Sequence, residues 1–206
     1  MKRIVCFVSG ILLAASAAIA QPPLSSGQPP APAAAQAPAA GQKIGLATSI
    51  QRSYAGIKGN LTAAADKLSD ADYGFKPGSM PEVRAYGQLF AHVATAQFGT
   101  CAAVKGVPNP NMGKQLEQEL KTKAEFVKAL ADSFAFCDDA VSALTDASAT
   151  EFIKQGQNEV TRAAALYGLI AHGNEMYGTS AVYLRTKGIV PPSTEGRGRG
   201  RGRGGE

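Results

Sequence analysis

VTRAAALYGLIAHGNEMYGTSAVYLRTKGIVPP, residues 160–192, decides how the chain folds. Apolar residues return along it at three- and four-residue steps, the spacing of one face of an α-helix. Thr161 offers an N-cap oxygen ahead of the first turn, and Gly188 followed by Pro191-Pro192 stops the run. The stretch therefore predicts one long helix. His172, one of only two histidines in the chain, sits near its middle.

The rest of the domain repeats this pattern. Over residues 43–68, Ile44, Leu46, Ile50, Tyr54, Ile57, Leu61 and Leu68 recur with a period near 3.6, which predicts a first helix. Gly56 and Gly59 weaken it by about 1 kcal/mol each, so packing must hold it. Pro77, Gly78 and Pro81 interrupt the pattern. A second helix is expected over 82–104, carrying Tyr86, Leu89, Phe90, His92, Val93, Cys101 and Val104, and ending before Pro108 and Pro110. A third, over 114–144, is read as one continuous helix with a stripe from Leu116 through Leu120, Val127, Leu130, Phe134, Cys137 and Val141 to Leu144. Residues 145–148 offer a cap and turn, and 151–157 a short helical or irregular piece. No stretch shows period-two alternation bounded by hairpin turns. Four long amphipathic helices predict an all-α bundle.

The ends are of a different kind. Residues 1–20 open on Lys2 and Arg3, continue through a short apolar run and close on Ala18-Ile19-Ala20, the pattern of a secretory signal peptide cleaved before Gln21. Cys6 lies inside the apolar run and not at the cleavage point, which argues against a lipid anchor. Residues 21–42 form a Pro/Ala-rich linker with too little bulky apolar surface to order itself. Residues 43–193 form the domain, and 194–206 an Arg-Gly tail, with Arg197, Arg199, Arg201 and Arg203 each followed by glycine, expected to be disordered. The formal net charge is +5, but the tail and the leader supply most of it, leaving the domain close to neutral. An exported protein, periplasmic or extracellular, is the expectation. In that setting the tail suits anionic lipid headgroups or acidic polymers, or acts as a solubilising extension, and no specific nucleic acid is expected.

Once the leader is removed, Cys101 and Cys137 remain, on the stripes of the second and third helices. An oxidising compartment makes a disulfide between them the plain reading, worth on the order of 4 kcal/mol by loop-closure entropy. Cys101 lies nine residues after His92, half a turn round and about 13 Å along a straight helix, so the two do not share a site. His92 shares a face with Ala85, Leu89, Ala96, Gly99 and Ala103, whose small side chains leave room beside it. His172 lines up with Leu169, Met176 and Tyr183, with Glu175 one step round. Two such histidines are either hydrogen-bonded core residues or ligands converging between packed helices. Asp138-Asp139 and Glu117-Glu119 read as solvated helix surface. No phosphate loop, G-x-S-x-G elbow or CxxC pair is present.

Two segments, EVRAYGQLFAHVATAQ (82–97) and AHGNEMYGTSAVYLRTKGIVPPS (171–193), with the FKPGSMPEVRAYGQL approach (75–89), resemble the signatures of the DinB-like (DNA-damage-inducible) superfamily. The likeness spans 43–193. It implies an up-down-down-up four-helix bundle, often a homodimer, holding one divalent metal through three histidines. One histidine comes from the second helix and two, four residues apart, from the last. Characterised relatives include thiol-dependent S-transferases and maleylpyruvate isomerase-like enzymes, which implies metal-dependent transferase or hydrolase-like chemistry. Carried over, His92 matches the first ligand and His172 the second, while the third position falls on Met176. A thioether suits zinc or nickel poorly. Glu175 is the alternative third ligand, and a His/His/Met set would suit Cu(I). The resemblance thus implies a metal-binding bundle with a weakened or lost active site. The alternative is a metal-free binding or structural module of the same fold.

Overall fold

The computed structural model describes residues 41–195. The expected signal peptide, nearly all of the linker and the Arg-Gly repeats lie outside the described residues. Four long helices run Leu46–Lys67 (α1), Tyr86–Lys105 (α2), Lys123–Ser142 (α4) and Arg162–Thr186 (α5), with a four-residue helix, Leu116–Glu119 (α3), between α2 and α4. α1 and α2 lie diagonally across the bundle, and each packs against both α4 and α5. Side-chain contacts give the directions. Cys101 and Cys137, both late in their helices, meet at disulfide distance with Cα atoms 5.3 Å apart, so α2 and α4 run parallel. Gln51 and Tyr54, in the first half of α1, reach Val141 and Asp138 near the end of α4, so those two are antiparallel. Tyr86 opens α2 beside Tyr183 at the end of α5. The order is up-down-down-up.

The stripes read from the sequence are the core. Ile57 and Leu61 of α1, Phe90 and Val93 of α2, Leu130 and Phe134 of α4, and Leu166 and Leu184 of α5 are all buried in one cluster. The last helix has the ends expected of it. The Thr161 hydroxyl accepts the Ala164 N–H at 3.2 Å. Beyond Thr186 the chain closes in a Schellman pattern, with Ile189 N–H to the Leu184 carbonyl, Gly188 N–H to that of Arg185, and Gly188 at φ +71°. A further turn follows: Glu195 N–H reaches the Pro191 carbonyl, and the Glu195 carboxylate pairs with Lys67 at 2.6 Å.

Three expectations are corrected. The single helix over 114–144 is two helices, because Leu120 turns extended and Thr122 starts a new one with a capping box. The Thr122 hydroxyl accepts the Glu125 N–H, while the Glu125 carboxylate accepts the N–H groups of Lys121 and Thr122 at 2.8 and 2.9 Å. Those local bonds outcompete continuation of the apolar stripe. The segment read as helical or irregular is an antiparallel hairpin, Phe152–Gln155 (β1) with Asn158–Thr161 (β2). Its two-residue turn places Gly156 at φ +63°, which glycine adopts without a Cβ clash. Only Ile153 in it is buried, so the alternation is too short to stand out in the sequence. The second helix also starts at Tyr86 instead of residue 82, where the Gln88 side chain accepts the Ala85 N–H at 2.8 Å.

The N-terminal half of α2 is seated on aromatic rings. A Cβ at Gly87 would lie 2.6 Å from Phe126 and 2.8 Å from Tyr73, so the helix touches those rings with bare backbone. The Tyr86 and Tyr73 hydroxyls donate to the Ala64 and Ala65 carbonyls in the last turn of α1, at 2.6 and 2.8 Å. At the other end of α1, the Asp146 carboxylate accepts the Ala47 N–H at 2.7 Å, capping the helix from the loop after α4. Gly87→Ala is expected to lower the unfolding free energy by about 1–3 kcal/mol through overpacking. Asp146→Ala is expected to lower it by about 1 kcal/mol. Urea denaturation followed by circular dichroism checks both.

Candidate two-histidine site

His92 projects from the second turn of α2 and His172 from the middle of α5, where the two helices pack antiparallel. Their rings meet edge to face with centroids 4.9 Å apart. Each side chain keeps roughly a quarter of its surface exposed. Ala96, Ala165 and Gly168 are small, so a cleft of about 380 Å³ opens beside the two rings. Thr100 and the hairpin's Gln155 supply its other polar groups, with the Gln155 amide 3.5 Å from the Thr100 hydroxyl.

Each imidazole has a carboxylate at Nδ1. For His92 it is Glu117, with Oε1 at 2.6 Å, and for His172 it is Glu175, with Oε2 at 3.6 Å. The second oxygen of Glu117 lies 2.7 Å from Arg84 Nε. Burial pushes the Glu117 carboxyl up, but the hydrogen bonds and charges of Arg84 and His92 outweigh it and hold the group below its ordinary range. Burial, reinforced by the neighbouring His92, lowers the pKa of His172, with Glu175 opposing. His172 thus favours the neutral imidazole more than a free histidine does. Its Nε2 is buried with no hydrogen-bond partner, which buried polar atoms rarely tolerate.

The structure therefore brings His92 and His172 together at the cleft, with Met176 one turn further along α5. Met176 is buried in the hydrophobic core and does not line the cleft. Glu175 stands at the outer nitrogen of His172, with 70% of its side chain exposed. Among the described residues, no three His, Cys, Asp or Glu side chains converge as a metal group. The unpartnered Nε2 fits a ligand position, and the carboxylate hydrogen-bonded to His92 at Nδ1 is the usual second-sphere arrangement around a metal-binding histidine. The residues present fit two ligand positions and do not complete the three-histidine set.

Glu117 is the site residue that sequence reading missed, having been assigned to solvated surface with Glu119. Two signals pointed to it. Thr122-x-x-Glu125 is a capping-box pattern that detaches residues 116–119 from the long helix. Arg84, Gln88 and His92 also recur at four-residue steps, and all three bind Glu117, Gln88 by donating its side-chain amide to the Glu117 backbone carbonyl at 3.0 Å. Asp138 is not free surface either, since it pairs with Lys58 at 2.7 Å and accepts the Tyr54 hydroxyl. Tyr183 donates to the Arg84 carbonyl at 2.7 Å, tying the end of α5 to the same corner.

Residues 57–179 match the profile of the DinB superfamily, and the chain belongs to that family. Its fold is similar to that of a DinB-like protein from Bacillus cereus ATCC 10987, with 18% identity and a TM-score of 0.58, covering 69% of this chain and 93% of that one. A conserved protein from Enterococcus faecalis is similar at 15% identity and a TM-score of 0.52, covering 69% and 96%. Both likenesses speak for fold alone. No curated protein matches the sequence.

The lowered pKa of His172 sets a direction for stability. Below the ordinary histidine value of 6.5, the unfolded chain takes up a proton that folded His172 still refuses. Stability is therefore expected to fall as pH drops below 6.5, until the folded-state value is passed. Urea midpoints at pH 7.5 and 5.5 test this, with His172→Asn showing the smaller loss.

Proposed function

We propose that this chain is an exported DinB-superfamily domain whose two-histidine cleft is a divalent-metal site weakened at its third position, Met176. The observation that carries the reading is the buried, unpartnered Nε2 of His172, set beside His92. A metal here would take His92 and His172 as ligands, with water or a small exogenous ligand filling the remaining positions. Bound zinc or nickel would supply Lewis-acid polarisation of that exogenous ligand. The protein's own part is to hold the His92 ring by its Nδ1, to favour the uncharged form of His172, and to leave space lined by small side chains. With two imidazoles in place of three, affinity is expected to be lower than in three-histidine relatives.

Export is supported by the basic-apolar-AxA pattern of residues 1–20 and by Cys101 and Cys137 standing at disulfide distance. Among the described residues, no helix is long and apolar enough to cross a membrane. The Arg-Gly tail then has anionic surfaces and not RNA within reach.

Metal analysis of protein purified without a His tag tests the reading. Wild type should bind up to one equivalent of zinc or nickel, His92→Ala none, and Met176→His should bind at least tenfold more tightly. If wild type and His92→Ala both carry no metal, take up none on titration and are equally stable, the cleft is instead that of a metal-free binding module.

A further inference from the structure

The contact between Glu117 and His92 crosses from outside the bundle to its inside. α3 is not one of the four bundle helices, yet it reaches α2 and the residues just ahead of it through three polar contacts: Arg84, two residues before α2, to the carboxylate, the Gln88 amide to the Glu117 carbonyl, and His92 Nδ1 to Oε1. The carboxylate has 24% of its side chain exposed and both oxygens engaged. An ionised carboxylate only accepts hydrogen bonds, so Nδ1 of His92 must be the donor. Imidazole in water favours the opposite tautomer, with the proton on Nε2. Glu117 does not line the histidine cleft, whereas His92 does. The proton is thus drawn to the side away from the cleft.

We propose that Glu117, anchored by Arg84, is the positioning residue of His92: it fixes the ring angle and the Nδ1–H tautomer, leaving the Nε2 lone pair for the cleft shared with His172. Glu117 touches neither ligand nor cleft and acts only through His92. The break between α3 and α4 is what frees it for this. Had residues 114–144 formed one straight helix, the bearing of Glu117 would follow from the α4 axis. The consequence for metal affinity rests on the proposed function above; the tautomer does not.

The test uses the chain labelled with ¹⁵N, chelator-treated, at pH 7.5, with long-range ¹H–¹⁵N correlation of the two histidine rings. His92 is expected as the Nδ1–H tautomer in wild type and as mainly Nε2–H in Glu117→Ala. Asp138→Asn, which disrupts the Lys58 ion pair elsewhere, should leave the His92 pattern unchanged. Zinc chloride titrated calorimetrically should bind Glu117→Ala about 10–100-fold more weakly than wild type. An Nε2–H tautomer in wild type, or an unchanged pattern in Glu117→Ala, overturns the proposal. The wild-type spectrum alone decides it should the variant fail to fold. If wild type binds no zinc yet shows the Glu117-dependent tautomer, positioning stands and the metal reading falls.

Discussion

Two tyrosine hydroxyls set where α2 lies, and most of what is specific to this molecule lies on α2. The last carbonyls of a helix have no partner inside it. Here those of Ala64 and Ala65 in α1 are met by Tyr86 and Tyr73, and those of Asp66 and Leu68 by Lys123. α1 and α2 are diagonal in the bundle and touch little along their length, so this phenol-to-carbonyl seam fixes one against the other. Burial raises the pKa of both phenols far above the ordinary tyrosine value, so they stay protonated donors. Gly87 then lets the helix settle directly on the rings of Tyr73 and Phe126. From that seat follow the bearing of His92 and the meeting of Cys101 with α4.

The fold was legible because helices of this kind advertise themselves twice, by period and by ends. Ile50, Tyr54, Ile57 and Leu61 are spaced for one buried face, and they occupy it. Thr161, Gly188 and the Pro-Pro pair mark the last helix, and its cap and Schellman turn use the first two of them. The misreadings came where local chemistry competes with period. Leu116 and Leu120 stay in phase with the α4 stripe, but the Thr122–Glu125 capping box breaks the helix between them and Val127. The hairpin buries a single side chain, Ile153, and an alternation of one has no statistical weight.

The site was legible by half. The two histidines share the core side of helices known to pack, so their convergence follows from the bundle. The position of Met176 follows from the same geometry, four residues on and facing the core. Glu117 was hidden because its role depends on a tertiary approach by a four-residue helix, and charge beside helical spacing ordinarily means solvent. Its partners Arg84, just ahead of α2, and Gln88, on its first turn, mark a polar stripe whose meaning needs a second element to complete it.

The pairing of Cys101 with Cys137 has a topological effect separate from the bundle's rigidity. The covalent ring it closes contains all of residues 102–136, α3 and Glu117 among them. Short peripheral helices are where proteins open first, by local fluctuations that leave the core intact. With the ring closed, an opening of α3 cannot carry Glu117 far, since both ends of its segment are tethered to α2, one by the backbone and one by sulfur. Cys101 and Cys137, at disulfide distance and 36 residues apart in sequence, thus bracket the segment that carries Glu117 to His92.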